Sequence, residues 1–345
     1  MLLVIHQSTL YFMNIIIPMA GMGKRMRPHT LVTPKPLLHV AGLPIVEHLV
    51  NDIAGVCKEK INSIGYIIGN FGTEVENRLI QCATHHAASG KVYIQHEALG
   101  TAHAILCAAE LLEGPVVVAF ADTLFKADFE INTQEESAIW VSEIEDPSAF
   151  GVVKLDQNGY ISEFIEKPTT PVSNLAIIGV YYFKDGAALK KELQYLIDED
   201  IKEKGEYQLT TALENLKQKG LKFYPKTVTE WWDCGNKEAT VYTNERVLWH
   251  KHPTSYIAPT VTQENVTIHP PCYIADNVQL KNVVIGPYVT IGADTTIQDS
   301  AIQNSLIGHN NKIQNSTFTD SMIGNNTVIH CQNKVLNVGD YSSIQ

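Results

Sequence analysis

Four cations, Lys24, Arg25, Arg27 and Lys35, fall in the acid-free stretch "AGMGKRMRPHTLVTPKP", residues 20–36, with Gly21 and Gly23 at its start. A glycine-rich turn after a strand and before a helix lets backbone N–H groups converge on a phosphate without Cβ atoms in the way. Two familiar phosphate loops do not fit. The dinucleotide fingerprint wants a third glycine where Met26 stands, and the P-loop wants Ser or Thr after Lys24, where Arg25 stands. Pro28, Pro34 and Pro36 restrict the backbone and remove three donors, which predicts a fixed loop presenting Arg25 and Lys35. A solvated basic turn is the plain alternative, and the glycines and prolines weigh against it.

The chain around this loop is acidic. It has 345 residues, 26 Lys+Arg against 37 Asp+Glu and a formal charge of −11. That balance disfavours nonspecific binding to nucleic acid or an anionic membrane, so any anion must be held locally. At 45% hydrophobic the chain can bury a sizeable core, and its length predicts two domains. Cys57, Cys82, Cys107, Cys234, Cys272 and Cys331 are dispersed with no CxxC pair, which predicts reduced thiols of a cytoplasmic protein, without a disulfide framework or zinc site. The apolar start "MLLVIHQSTLYFM" lacks a basic n-region and a small-residue cleavage site and is too short to cross a bilayer. The expectation is a non-functional extension over 1–12 and a functional chain from Met13.

The elements that must position the loop are α/β in character. "NIIIPMAG", "SIGYIIG", "KVYIQ" and "PVVVAFAD" read as buried strands; "IVEHLVNDIAGV", "TEVENRLIQCA" and "GTAHAILCAAELL" between them read as amphipathic helices. In such sheets ligands bind beyond the carboxyl ends of the strands, so the basic loop and Asp122, each following a strand there, are expected to face one crevice. After Gly235, "KEATVYTNERVLWHKH" reads as a helix. From 254 isolated aliphatics recur among Asn, Thr, Asp and Gly: Ile268, Ile274, Leu280, Ile285, Ile291, Ile297, Ile302, Ile307, Ile313, Phe318, Ile323 and Ile329, in steps of five or six. Summed in threes the steps give coils of 17, 17 and 16 residues, a triangular solenoid with one inward aliphatic per face rather than a β-sandwich. The pattern resembles the left-handed parallel β-helix of hexapeptide-repeat proteins, and the handedness comes from that resemblance.

"AGMGKRMRPHT" followed by "PKPLL" resembles the signature of the sugar-1-phosphate nucleotidyltransferases, the nucleotide-sugar pyrophosphorylases. "QHEALGTAHAI" resembles their base-recognition segment and "VAFADTLF" their metal-binding strand end. "FGVV", "EKP" and "SNLAIIGVYYF" resemble their sugar site, and "WWDCG" their second metal position, all in the family's order. The resemblance covers roughly residues 13–250 and is nearest to the glucose-1-phosphate thymidylyltransferases. It implies a Rossmann-like nucleotidyltransferase domain with a mainly parallel sheet at 13–236, a connecting helix at 237–253, the β-helix at 254–335 and a tail at 336–345.

The implied reaction joins a nucleoside triphosphate to a sugar 1-phosphate and releases pyrophosphate. The attacking phosphate oxygen is already ionised, since a phosphomonoester's second pKa is about 6, so what remains is alignment and charge neutralisation. By resemblance Ala20, Gly21 and Gly23 hold the triphosphate, Arg25 stabilises the departing pyrophosphate and Lys35 contacts the reacting phosphates. Lys24 and Arg27 are solvent-facing support. Asp122 and Asp233 are the implied Mg2+ ligands, hard oxygens of the kind magnesium takes from a protein one or two at a time; Ala121 stands where the family usually has glycine. Gln95 can present a donor and an acceptor to a pyrimidine edge and Gly100 lets the base approach, which favours dTTP or UTP. For the sugar, expected as glucose 1-phosphate, Glu166 accepts from hydroxyls, Lys167 reaches the phosphate, and Gly151, Ile177 and Asn174 complete the site. The base-recognition segment also resembles that of uridylyltransferases acting on N-acetylglucosamine 1-phosphate, which leaves base and sugar open.

Two other readings stay open. Some β-helix relatives are bifunctional and transfer an acetyl group from acetyl-CoA with a histidine base, and His269, His309 and His330 lie in the repeat; others are noncatalytic regulatory subunits. The presence of Arg25, Lys35, Asp122, Lys167 and Asp233 favours the enzyme. The solenoid's expected use is homo-oligomerisation or regulation.

Overall fold

The computed structural model describes residues 12–168, 170, 172–330, 332 and 335–344. Of the expected extension over 1–12, residues 1–11 lie outside the described residues, and Phe12 already pairs with Lys60 as the first residue of a strand. That strand, Phe12–Pro18 (β1), is buried at every position after the first, as a run of Ile15, Ile16 and Ile17 requires in the middle of a covered sheet. Lys60–Ile68 (β2) lies parallel beside it, Ser89–Ile94 (β3) lies beyond β2, and Val116–Ala119 (β4) flanks β1 on the other side.

Past β4 the sheet changes character. Ser137–Glu143 (β5), Gly151–Leu155 (β6), Ile161–Glu166 (β7), Leu175–Phe183 (β8) and Phe223–Thr227 (β9) complete nine strands. Strand β8 runs antiparallel to β4, β5 and β6, β7 is antiparallel to β6, and β9 is parallel to β5. The parallel half is the one the sequence pattern predicts, and the antiparallel half makes the sheet mixed.

Helices Ile45–Val56 (α1) and Thr73–His85 (α2) form where their apolar spacing places them. Thr101–Leu106 (α3) stops short of the expected residue 112. The Cys107 N–H there is shared between the His103 and Ala104 carbonyls, at 3.1 and 3.2 Å, and the chain tightens into a 3-10 turn at Ala109–Leu111. Gly186–Asp198 (α4), capped by Asp185, and Leu209–Gln218 (α5) join α3 over a core containing Ile16, Val118, Ile139, Leu193, Leu213 and Phe223.

Contacts divide the described residues into two compact units that are discontinuous in sequence. The first takes those of Met1–Gly21, Val50–Ala121 and Phe125–Trp231; the second takes those of Met22–Leu49, Asp122–Leu124 and Trp232–Gln345. In the second, Lys237–Lys251 (α6) starts at Asn236, whose Oδ1 accepts from Ala239 N at 2.9 Å. Parallel strands then stack into a β-helix. Ile268, Ile285, Ile302 and Phe318 occupy one register position, 17, 17 and 16 residues apart as the spacing predicts. Ile274, Ile285, Ile291, Ile297, Ile313 and Ile329 lie inside. Corners at Asn265, Asn282, Asp299 and Asn315 have φ between 46° and 54°, a region Asn and Asp tolerate best among residues with a Cβ. Their side chains bridge coils, Asn265 to Asn282 at 3.1 Å and Asn282 to Asp299 at 2.8 Å.

The sequence reading ends the repeat at 335. The structure adds Asn337–Val338, paired with Met322 and Ile323, and Ser343–Ile344, paired with Val328 and Ile329. After Ile329 the isoleucine spacing lapses, and Leu336 and Val338 take the inward places. Cys57, Cys82, Cys107, Cys234 and Cys272 form no disulfide among the described residues, and Cys331 lies outside them. Among the described residues no helix is long and apolar enough to cross a membrane.

Candidate active site

The basic loop contains no α-helix before α1; its prolines break it into three-residue 3-10 turns at Lys24–Met26, His29–Leu31 and Lys35–Leu37. Pro28, Pro34 and Pro36 lack the N–H groups that would continue a helix, which gives the fixed, irregular loop their placement predicts. The two glycines differ in kind. Gly21 has open space where a Cβ would stand. Gly23 adopts φ 56°, and a Cβ there would lie 2.9 Å from Lys35 Cβ and 3.0 Å from Thr30 Cγ2. Thr30 fastens the turn by donating its hydroxyl to the Gly23 carbonyl at 2.7 Å. Ala20 follows β1 in the first unit, and its carbonyl oxygen would lie 3.6 Å from a Cβ on Gly69, an ordinary contact.

Within the second unit the loop, Asp122 and Asp233 form one cluster. Lys35 is 8% exposed and its Nζ lies 3.1 Å from Asp122 Oδ2, while Lys24, Arg25 and Arg27 are exposed. The Asp122 side chain is 47% exposed, so it is not the deeply buried carboxylate that its place after "VAFA" predicts; it sits in a turn and has Lys35 for a cation. Cys234 N–H donates to the Asp122 carbonyl at 3.0 Å and so ties Asp122 to the Asp233 turn. Asp233 Oδ2 accepts from Gly235 N at 3.0 Å, and Thr243 Oγ1 donates to the Asp233 carbonyl at 2.7 Å. Burial raises the Asp233 pKa above the usual carboxylate value and the Asp122 charge adds to that, against the Gly235 N–H, Lys35 and Arg25. Burial also pushes the neighbouring Cys234 thiol up to about 12, so it is no nucleophile.

A half-buried carboxylate raised in pKa by its own burial and by a second carboxylate is one that a hard divalent cation would stabilise in its charged form. Asp122 and Asp233 therefore fit magnesium, which takes few protein ligands and completes its shell with substrate phosphate and water. Among the described residues no group of three or more His, Cys, Asp or Glu side chains stands as a metal cluster.

The first unit carries the remaining candidates. Gln95 Nε2 donates to the Gly100 carbonyl at 3.2 Å and lies 3.1 Å from His103 Nδ1. Both amide hydrogens are thereby directed at protein acceptors, and the side-chain oxygen is the atom left to select a ligand. His103, which this arrangement makes an acceptor at Nδ1, was not singled out from sequence; its place eight residues after Gln95, one turn into α3, is the signal that finds it. Gly100 has φ 112°, and a Cβ there would lie 2.4 Å from the Tyr207 carbonyl oxygen. The close approach that demands glycine is thus made by protein backbone. Gly100→Ala is expected to cost about 3 kcal/mol of stability, seen as a lower urea midpoint with an unchanged slope.

Gly151 and Glu166 pair across β6 and β7, and a Cβ on Gly151 would stand 3.2 Å from Glu166 Oε2. Lys167 follows at φ 47°, its Nζ 3.6 Å from Glu166 Oε1 and its N–H on the Phe150 carbonyl at 3.2 Å. Ile177 is buried in β8, which brings Ala176 opposite Val152, and Asn174 is exposed just before that strand. Within the solenoid His269 and His330 are exposed, whereas His309 Nδ1 accepts from Ala293 N at 3.0 Å and its ring meets His39 edge-on at 5.0 Å.

Comparison with known proteins bears on the same stretch. The chain is 31% identical over 239 residues to the low-salt glycan biosynthesis nucleotidyltransferase Agl11 of Haloferax volcanii, covering 67% of this chain and 65% of that one. It is 33% identical over 241 residues to the bifunctional protein GlmU of Methanocaldococcus jannaschii, covering 68% of this chain and 55% of that one. With a glucose-1-phosphate thymidylyltransferase of Streptomyces antibioticus it shares 28% over 266 residues, 74% of this chain and 71% of the other. The chain thus spans less than two thirds of the first two relatives. A Bacillus anthracis crystal structure assigned as a glucose-1-phosphate thymidylyltransferase in complex with sucrose superimposes with a TM-score of 0.57 at 25% identity, over 67% of this chain and 94% of that one. Residues 14–249, from within β1 to the last turn of α6, match the family described as nucleotidyl transferase; that span includes the basic loop and both aspartates, and the chain belongs to this family.

Proposed function

We propose that the protein transfers a nucleotidyl group from a nucleoside triphosphate to a sugar 1-phosphate, releasing pyrophosphate in a magnesium-dependent reaction. The observation that carries the reading is the Lys35–Asp122 ion pair at 3.1 Å, tied through Cys234 to Asp233 on the family's matched segment. One sugar-phosphate oxygen attacks the α-phosphorus, the bond to the bridging oxygen breaks, and the electron pair leaves with pyrophosphate. No general base is needed, because the attacking oxygen is ionised near neutral pH.

Catalysis then consists of holding two anions in line and neutralising the charge that shifts to the leaving group. Lys35, fixed by packing against Gly23, meets the reacting phosphates; Arg25, exposed at the loop, stabilises the departing pyrophosphate. Asp122 and Asp233 would hold magnesium, which supplies positive charge to the phosphates. Gln95 Oε1 accepts the imide N–H of a thymine or uracil, a donor that cytosine and adenine lack at the corresponding ring position. Glu166 takes sugar hydroxyls and Lys167 the sugar phosphate. Glucose 1-phosphate and a pyrimidine nucleotide are the proposed substrates, a choice supported by the thymidylyltransferase among the relatives, and the acting form is a homo-oligomer.

Pyrophosphate release measured with magnesium, glucose 1-phosphate and dTTP, UTP, GTP, CTP or ATP separately tests the proposal. Turnover with dTTP or UTP is expected. Silence with every nucleotide, repeated over a panel of sugar phosphates, favours the regulatory-subunit reading instead.

A further inference from the structure

The segment His29–Ala41, which carries Lys35, is pinned at both ends to the β-helix side of its own unit. At one end His29, 2% exposed, makes a 2.8 Å hydrogen bond between its Nε2 and Asn337 Oδ1 on the last coil. Pro28 closes over Gly339 of the same coil, where a Cβ would lie 2.8 Å from Pro28 Cβ. At the other end Ala41 N donates to Asn244 Oδ1 of α6 at 3.0 Å. Asn244, fully buried, also accepts from Thr290 Oγ1 at 2.6 Å and donates to the Tyr288 carbonyl at 3.3 Å, both on the β-helix. Between the pins lies a cavity of about 250 Å³ whose lining includes Leu37, Leu38, Leu306, Ile307 and Met322. Lys35 stands six residues after His29 and six before Ala41; it packs against Gly23, while Leu37 and Leu38 beside it border the cavity and the two ends of the span are tied to the β-helix side.

We propose that the β-helix is the brace of the catalytic loop, with Asn337 a positioning residue that acts on Lys35 through His29. The proposal rests on the proposed function for its kinetic consequence, and on geometry alone for the brace. A hydrogen bond at the end of a span over a cavity restricts the whole span, and an ammonium that must meet reacting phosphates tolerates little displacement. Asn337 is exposed and its strand pairing uses only backbone, so replacing its side chain leaves the coil intact. Burial keeps His29 below the usual histidine pKa, so at neutral pH its ring is uncharged and Nε2–H is the donor to Oδ1.

The test compares Asn337→Leu with Asn337→Asp, which keeps an acceptor oxygen, and with Ser343→Leu, an exposed control on another face of the last coil. Hydrogen exchange is read at the Leu37, Leu38 and Ala41 amides, which bond to Pro34 O, Lys35 O and Asn244 Oδ1. Asn337→Leu is expected to speed that exchange about tenfold and to lower kcat about tenfold with KM little changed; the other two variants do neither. Unchanged exchange in Asn337→Leu overturns the brace. Faster exchange with unchanged kcat overturns its link to Lys35. If the unmutated protein turns over no nucleotide, the functional reading has failed, and the exchange comparison still decides whether the β-helix holds the loop.

Discussion

With Asp122 replaced by asparagine, the proposed magnesium-dependent pyrophosphate release is expected to fall about a thousandfold while the urea midpoint hardly moves. The substitution keeps volume and one oxygen but removes the charge. A magnesium ion at the proposed site would then keep a single carboxylate, Asp233, whose own charged form burial disfavours. A thousandfold loss corresponds to about 4 kcal/mol of transition-state stabilisation, in the range expected when a cation that neutralises shifting phosphate charge is lost. The folded state loses far less. The Asp122 ion pair with Lys35 has the carboxylate end 47% exposed and the lysine end buried, and a pair whose carboxylate is open to water contributes about 1 kcal/mol. Activity within tenfold of the unmutated protein, with the same magnesium dependence, removes Asp122 from the metal site.

Much of the architecture is legible because burial leaves a period in the sequence. The run Ile15–Ile17 has one use in a protein of this composition, and α1 forms over the twelve residues whose apolar stripe predicts it. The solenoid register is legible for a stronger reason: an inward aliphatic on each face of each coil fixes where Ile268, Ile285 and Ile302 must meet. The antiparallel half of the sheet is not, because "SAIWVSE" and "ISEFIE" carry ordinary strand composition and nothing local states which neighbour β8 will choose. The site shows the same division. Residue types predict that Lys35 and Asp122 carry charge at strand ends, but their ion pair joins positions 87 apart. That pairing depends on a loop whose shape is set by Gly23, Thr30 and three prolines together. Gly100 shows the converse: the glycine is visible in the sequence, and the backbone that forces it, at Tyr207, is more than a hundred residues away.

Lys35→Met is expected to lower kcat by about two to three orders of magnitude, with a much smaller change in KM for either substrate. Among the loop's four cations it alone is buried, aligned on an acceptor at 3.1 Å, and packed so closely against Gly23 that no side chain fits between them. A fixed ammonium costs no reorganisation as charge shifts toward pyrophosphate, and this is the condition under which one donor contributes about 3 to 4 kcal/mol to a transition state. Methionine preserves the packing and leaves Asp122 half exposed to water, so the fold survives. Lys35→Arg is expected to restore little, because a longer, planar guanidinium cannot place a single point charge where the Lys35 ammonium stands, 3.1 Å from Asp122. Arg25→Gln provides the contrast: an exposed, unfixed cation gathers a triphosphate more than it organises one, and its loss is expected to raise KM for the nucleotide about tenfold with kcat changed less. If Lys35→Met instead raises KM and leaves kcat intact, the lysine binds substrate and transition state alike. Burial in the loop would then serve the ion pair with Asp122, and the charge that drives pyrophosphate departure would have to come from the metal and Arg25.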